Sequence, residues 1–137
     1  MAWSPRENED GIRLLASASF DSTARLWNPT TGVCIHIINQ HSDMVYSLAW
    51  QPGLGDYLAT GSNDNKMCIT RVTKPSSKEE EEEEGGIISS SSSKQYDLCH
   101  EYEHPGAVYE ICWHPTRNQI AVCGKYETVN VVGFDLS

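Results

Sequence analysis

One pattern restricts this chain more than any other: a short alternating run, a polar turn with an aspartate, and a second short run, repeated. Leu14 to Trp27 reads LLASASFDSTARLW, with Leu15, Ser17 and Ser19 on one face of its first half. Phe20-Asp21-Ser22 is where the chain reverses, because Asp and Ser side chains bond back to nearby amides. Leu58 to Thr70, LATGSNDNKMCIT, is the same hairpin again, with Asp64 lying 43 residues beyond Asp21 and Thr60 lying 43 beyond Ser17. A weaker third copy runs from Ile120 to Val132, IAVCGKYETVNVV, with Glu127 in the place expected for the turn aspartate. A lone hairpin cannot hide both faces, so successive copies must cover one another.

A second signature precedes each hairpin. Trp3-Ser4-Pro5, Trp50-Gln51-Pro52 and Trp113-His114-Pro115 stand 14, 10 and 10 residues before Ser17, Thr60 and Cys123. Extended segments lead into two of them, Val45–Trp50 and Val108–Trp113, each with a histidine four residues ahead of its valine, His41 and His104. Those histidines are 63 residues apart, and the excess lies in KPSSKEEEEEEGGIISSSSSK, Lys74 to Lys94. Six adjacent like charges and a serine run offer nothing to bury, which predicts a flexible loop. The expected organisation is therefore part of a unit at 1–32, a full unit at 33–73, an acidic and Ser-rich insertion at 74–95, and a divergent unit at 96–137. Four strands are expected per full unit: Val33–Ile38, Met44–Trp50, Tyr57–Ser62 and Met67–Val72 in the second, and Tyr96–Tyr102, Ala107–Trp113, Gln119–Cys123 and Thr128–Val132 in the third. Ser76 and Ser77 each have a glutamate three residues on, the pattern preferred by acidophilic kinases of the casein kinase type, and are candidate phosphorylation sites.

Composition narrows the function. The net charge is -9 and the run Glu79 to Glu84 supplies most of it, so no basic nucleic-acid surface is expected. No apolar run approaches the ~20 residues of a membrane span, and Met-Ala-Trp-Ser-Pro-Arg lacks the pattern of a secretory signal. The five cysteines are odd in number and never spaced C-x-x-C, as expected of reduced thiols in an intracellular protein. Cys99, His100 and His104 could begin a zinc site, but a fourth ligand and the usual spacing are missing, so no metal or other cofactor is expected.

In a twisted antiparallel sheet, a histidine entering the second strand lies beside the turn between the third and fourth. Asp64 can then accept from His41 while Thr60 meets the other ring nitrogen. Ser17, Asp21 and Trp27 form the corresponding set in the first unit, and His104 the start of one in the third. A Ser/His/Asp set invites a catalytic reading. Here the hydroxyl sits within a strand, no Gly-x-Ser-x-Gly elbow occurs, and the set recurs once per repeat, all of which suits a structural staple. No catalytic residue is expected.

A period near 43, a histidine before the second strand, a turn aspartate and a fourth-strand tryptophan together resemble the WD repeat of β-propellers. The resemblance implies an all-β fold, a partial propeller with about two complete four-stranded blades and part of a third. Thr70 and Gly133 stand where tryptophan is usual, Glu127 replaces aspartate, and Cys123 replaces Ser or Thr. More narrowly, LLASASFDSTARLW, GVCIH, HSDMVYSLAW, YLATGSND and VYEICW look like the last repeats of transducin β-like subunits of nuclear receptor corepressor complexes that contain a histone deacetylase. That likeness implies a non-enzymatic nuclear scaffold, with corepressor and histone deacetylase components as partners and with missing blades or self-association completing the ring. Other WD-repeat adaptors, such as a ubiquitin-ligase substrate receptor or a cytosolic assembly factor, are the alternative, with a cytoplasmic location; a metal-dependent enzyme is remote. By similarity to the family, the protein-binding face would comprise Phe20, Met44, Tyr46, Asn63, Ala107, Tyr109 and Tyr126.

Overall fold

The computed structural model describes residues 1–8, 10–72 and 96–136. The insertion, with Ser76 and Ser77, lies outside the described residues. Every regular element among them is a strand, and the strands form three antiparallel sheets. The first contains β1 (Ala2–Glu7), β2 (Arg13–Ala18), β3 (Ala24–Asn28) and β4 (Val33–Ile38) in that order. The second contains β5 (Val45–Trp50), β6 (Tyr57–Ser62), β7 (Lys66–Val72) and β8 (Tyr96–Glu103). The third contains β9 (Val108–Trp113), β10 (Gln119–Gly124) and β11 (Val129–Gly133).

The central hairpins of the first two sheets are built alike. Asp21 accepts from the amide of Thr23 and Asp64 from that of Lys66, both at 3.0 Å. The hydroxyls of Ser19 and Ser62 in turn accept from the two aspartate amides, at 3.2 and 3.1 Å. Ser22 and Asn65 then take positive φ, 71° and 70°, to complete the reversal.

Two layers of apolar side chains hold the sheets together. Ala16, Ala24, Leu26 and Ile38 of the first sheet meet Trp50, Leu58 and Val72 of the second. On its other side the second sheet presents Ala59, Met67 and Ile69 to Val108, Ile111, Trp113, Ile120 and Val122 of the third. The second sheet is thus buried on both faces, and β6 and β7 are buried at nearly every position for that reason. Indole groups reinforce both layers: Trp50 donates to the carbonyl of Ala2 at 3.1 Å, and Trp113 donates to that of Ala49 at 2.9 Å. At the rim, His36 of the first sheet stacks on Tyr96 of the second, with ring centroids 3.9 Å apart.

The strand grouping expected from the repeat is corrected in one respect. Val33–Ile38 pairs with β3, opposite residues such as Arg25 and Leu26, and so completes the first sheet. Tyr96–Glu103 likewise pairs with β7 and completes the second. The sequence unit and the sheet are offset by one strand, which makes the first two sheets four-stranded and the third three-stranded. The cause is the tight connection Asn28-Pro-Thr-Thr-Gly32: Gly32 takes φ 72° and returns its amide to Asn28 O at 2.8 Å. So short a link can join only adjacent antiparallel strands.

A second correction concerns register. Trp50 stands opposite Leu58, but Trp113 stands opposite Ile120, because the connection after Trp113 is one residue shorter. Val122, and not Cys123, therefore occupies the position of Ser17 and Thr60, Tyr126 that of the turn aspartate, and Val132 that of Trp27. After β11 the chain turns back to the second sheet. Phe134 and Leu136 pack on its core, and Asp135 O accepts from His100 Nε2 at 3.0 Å.

Candidate protein-binding face and polar network

The most deeply buried polar cluster lies at the entry to β5. His41 Nδ1 donates to Asp64 Oδ2 at 2.9 Å, and Thr60 Oγ1 donates to His41 Nε2 at 2.8 Å. The imidazole and carboxylate are 1% and 5% exposed, so each depends on the other for its hydrogen bonds. Asp64 also accepts the amides of Ser42 and Lys66, both at 3.0 Å. Burial alone would push the Asp64 carboxyl up. The Ser42 amide, His41 and the Lys66 amide outweigh it and hold the pKa below the usual carboxylate range. Thr70, at the position filled by tryptophan in the first sheet, donates to Gln40 Oε1 at 2.9 Å.

The other two sheets build only parts of this chain. In the first, Trp27 Nε1 donates to Ser17 Oγ at 2.9 Å, while Asp21 turns outward to Thr23 and to an ion pair with Arg25 at 2.9 Å. No histidine joins Ser17 to Asp21 among the described residues. In the third, His104 is buried and donates from Nδ1 to Gly106 O at 2.8 Å, with Thr128 Oγ1 3.3 Å from Nε2. Val122 and Tyr126 stand where the second sheet has the threonine hydroxyl and the aspartate carboxylate, so the His41-type chain is not built here. The zinc reading finds its residues apart in function: Cys99 donates to Asp97 O, His100 to Asp135 O and His104 to Gly106 O.

Above these networks three aromatic rings cross the sheets in a row. Phe20 meets Tyr46 edge-on with centroids 5.9 Å apart, and Tyr46 meets Tyr109 at 5.6 Å. Phe20 is 74% exposed and Tyr109 48%, so the row lies open to solvent at its two ends. Tyr126 is exposed at the tip of the third hairpin, outside the row, with Lys125 Nζ 5.2 Å from its ring centroid. Met44 and Asn63 are half-buried at the rim, where Asn63 donates to Asp43 Oδ2 at 2.7 Å. Ala107 is buried and offers a partner almost no side-chain surface, and its carbonyl accepts from the amide of Lys125 at 2.9 Å.

The inter-sheet indole bonds were not anticipated from the sequence, although the threefold Trp-x-Pro was the available signal. Gln40 and Asp43 were also missed; each is a lone polar residue in a connection, without a repeated partner to mark it.

The profile of the WD domain, G-beta repeat, matches residues 1–28, 32–70 and 96–131. Its second match starts just ahead of β4, which is the same one-strand offset between repeat and sheet. The chain belongs to the WD-repeat family. This WD-repeat chain is 53% identical over 45 residues to the F-box-like/WD repeat-containing protein TBL1X of Mus musculus, covering 33% of the chain and 8% of that protein. It is 33% identical over 125 residues to TBL1Y of Homo sapiens, covering 91% of the chain and 20% of that protein. It is 30% identical over 129 residues to the protein transport protein SEC13 homolog A of Arabidopsis thaliana, covering 89% of the chain and 37% of that protein. The chain thus spans well under half the length of these relatives. WD repeats are generally non-enzymatic scaffolds that engage other proteins.

Proposed function

We propose that this WD-repeat chain serves as a scaffold within a nuclear corepressor and histone deacetylase assembly, gripping a protein partner along the row Phe20–Tyr46–Tyr109. The observation that carries the reading is that row, open to solvent at Phe20 on a hairpin tip and at Tyr109 on β9: exposed aromatic rings are costly in water and form anchors at protein interfaces. The similarity to TBL1X and TBL1Y supports the choice of complex and a nuclear location.

Phe20→Ala and Tyr46→Ala in the full-length protein are each expected to weaken partner capture at least ~10-fold while leaving thermal stability within ~0.5 kcal/mol for the exposed Phe20. Capture at wild-type strength by both variants would move the binding face elsewhere. A second reading, a cytoplasmic assembly factor, is favoured by the similarity to the SEC13 homologue along most of the chain. Mass spectrometry of co-purified proteins separates the two: corepressor and histone deacetylase components support the first reading, and protein-transport components the second.

Ser76 and Ser77 are proposed as phosphorylation sites that act on the partner, because added charge beside six glutamates only increases repulsion within the segment. Unchanged partner affinity of the doubly substituted Ser76→Ala, Ser77→Ala protein would remove that role.

A further inference from the structure

Two bulges at equivalent places build most of the aromatic row. The β5–β6 ladder steps from Val45 opposite Ser62 to Ser47 opposite Gly61, and the β9–β10 ladder steps from Val108 opposite Gly124 to Glu110 opposite Cys123. Tyr46 and Tyr109 are the extra residues. Each is left without a cross-strand partner, and a bulge re-aims the side chain it carries.

The chemistry on offer there is narrow. The rings of Phe20 and Tyr46 cross at 85° and those of Tyr46 and Tyr109 at 57°, so neither pair closes face to face and each leaves a wedge between its members. The hydroxyls of Tyr46 and Tyr109 have no hydrogen-bond partner among the described residues, and neither is buried. Charged side chains next to the three rings in sequence are taken up or turned away. Asp21 is paired with Arg25 at 2.9 Å, and Asp43 accepts from the Met44 amide and from Asn63 Nδ2. Glu110 stands opposite Cys123, on the face of the third sheet turned away from the second. Charge complementarity therefore points to an uncharged ligand with flat apolar groups and free acceptor oxygens.

Strand addition needs a continuous sheet edge, and the three rings stand on three separate sheets. A groove-bound helix needs an enclosed apolar channel, whereas this row is open at Phe20 and Tyr109. A polyproline II segment meets the requirements: its pyrrolidine rings pack among aromatic side chains, and its carbonyls, unused within its own backbone, accept from hydroxyls. One turn of it is three residues and about 9 Å, within the reach of a row whose successive rings are 5.9 and 5.6 Å apart. Resting on the assignment of that row as the partner-binding face, we propose that it binds a proline-rich segment of a partner protein in the polyproline II conformation. Prolines three residues apart sit on Phe20 and Tyr109, and the two tyrosine hydroxyls donate to the carbonyls between them.

Titration of the full chain with a proline decamer tests this, with a glycine-serine decamer as control and the tyrosine ring resonances as the readout. Saturable binding of the proline decamer alone is expected, with shifts centred on Tyr46 and Tyr109. Phe20→Ala and Tyr109→Ala should each weaken it at least ~10-fold. Tyr46→Phe, which keeps the ring and removes one donor, should weaken it about 3–10-fold. Both truncated side chains are exposed, so the far-UV β signal should be retained; Tyr109→Phe takes the place of an alanine variant that loses it. Binding that ignores these substitutions would overturn the proposal. So would a lysine-rich decamer that shifts the same resonances at lower concentration, which would assign the row to a cation held over the rings. Failure of the proline decamer while Phe20→Ala still weakens capture of the cellular partner would overturn the proline chemistry and leave the face assignment standing. Failure together with undiminished capture would remove both.

Discussion

Trp50→Ala is expected to remove about 4 kcal/mol of stability, the largest loss from any single truncation considered. The indole lies between the first and second sheets among Ala16, Leu26, Ile38 and Leu58, and it carries the hydrogen bond to Ala2 O. Truncation leaves a void between two packed sheets and removes the hydrogen bond to Ala2 O. A domain of this size commonly has roughly 5–15 kcal/mol in total, so the variant should be largely unfolded near physiological temperature. Trp50→Phe separates the two contributions: it keeps most of the packing, loses the donor, and should cost about 1–2 kcal/mol. Urea midpoints read both. A loss below ~1 kcal/mol for Trp50→Ala would mean that the sheets are not wedged together at this residue.

Asp64→Ala should cost about 3 kcal/mol, although the residue makes no apolar contact of consequence. Its carboxylate satisfies the amides of Ser42 and Lys66 and the Nδ1–H of His41, and its loss leaves the buried imidazole and the half-buried Lys66 amide without that acceptor. Asp64→Asn keeps the shape and one acceptor oxygen and should cost roughly half as much. The same network makes stability depend on acid. Because the folded pKa lies below the ordinary carboxyl value of 3.8, the ionised carboxylate favours the folded state. That contribution is fully present above 3.8 and is lost as pH falls through the folded pKa. Stability of the wild type should therefore fall more steeply below pH ~4 than that of Asp64→Asn, as followed by tryptophan fluorescence. Parallel acid profiles for the two proteins would deny the carboxylate its role.

Local chemistry was the legible part of this chain. The hairpins around Asp21 and Asp64 are specified by residues within a few positions of each turn, and His41, Thr60 and Asp64 stand at spacings that a twisted sheet brings together. Partnership between strands was harder to read. Val33–Ile38 alternates like any half-buried strand, and alternation does not say which neighbour it pairs with; the Asn28–Gly32 turn held that information. The third unit was misread by one residue because a shortened connection after Trp113 shifts everything downstream, and a one-residue slip exchanges the two faces of a strand. That slip put Cys123 where Val122 belongs and Glu127 where Tyr126 belongs. The row Phe20–Tyr46–Tyr109 and the indole-to-carbonyl bonds join residues of different sheets, and no spacing within one repeat encodes them.

The central claim is that three copies of one small sheet stack in chain order, each locked to the one before it by a tryptophan. Nuclear Overhauser contacts from the indole N–H protons test it most directly. Contacts from Trp50 to Ala2 and from Trp113 to Ala49 should both be observed, with those two N–H protons protected from exchange and that of the exposed Trp3 unprotected. Well-formed strands without those two contacts would contradict the stacking order and the account built on it.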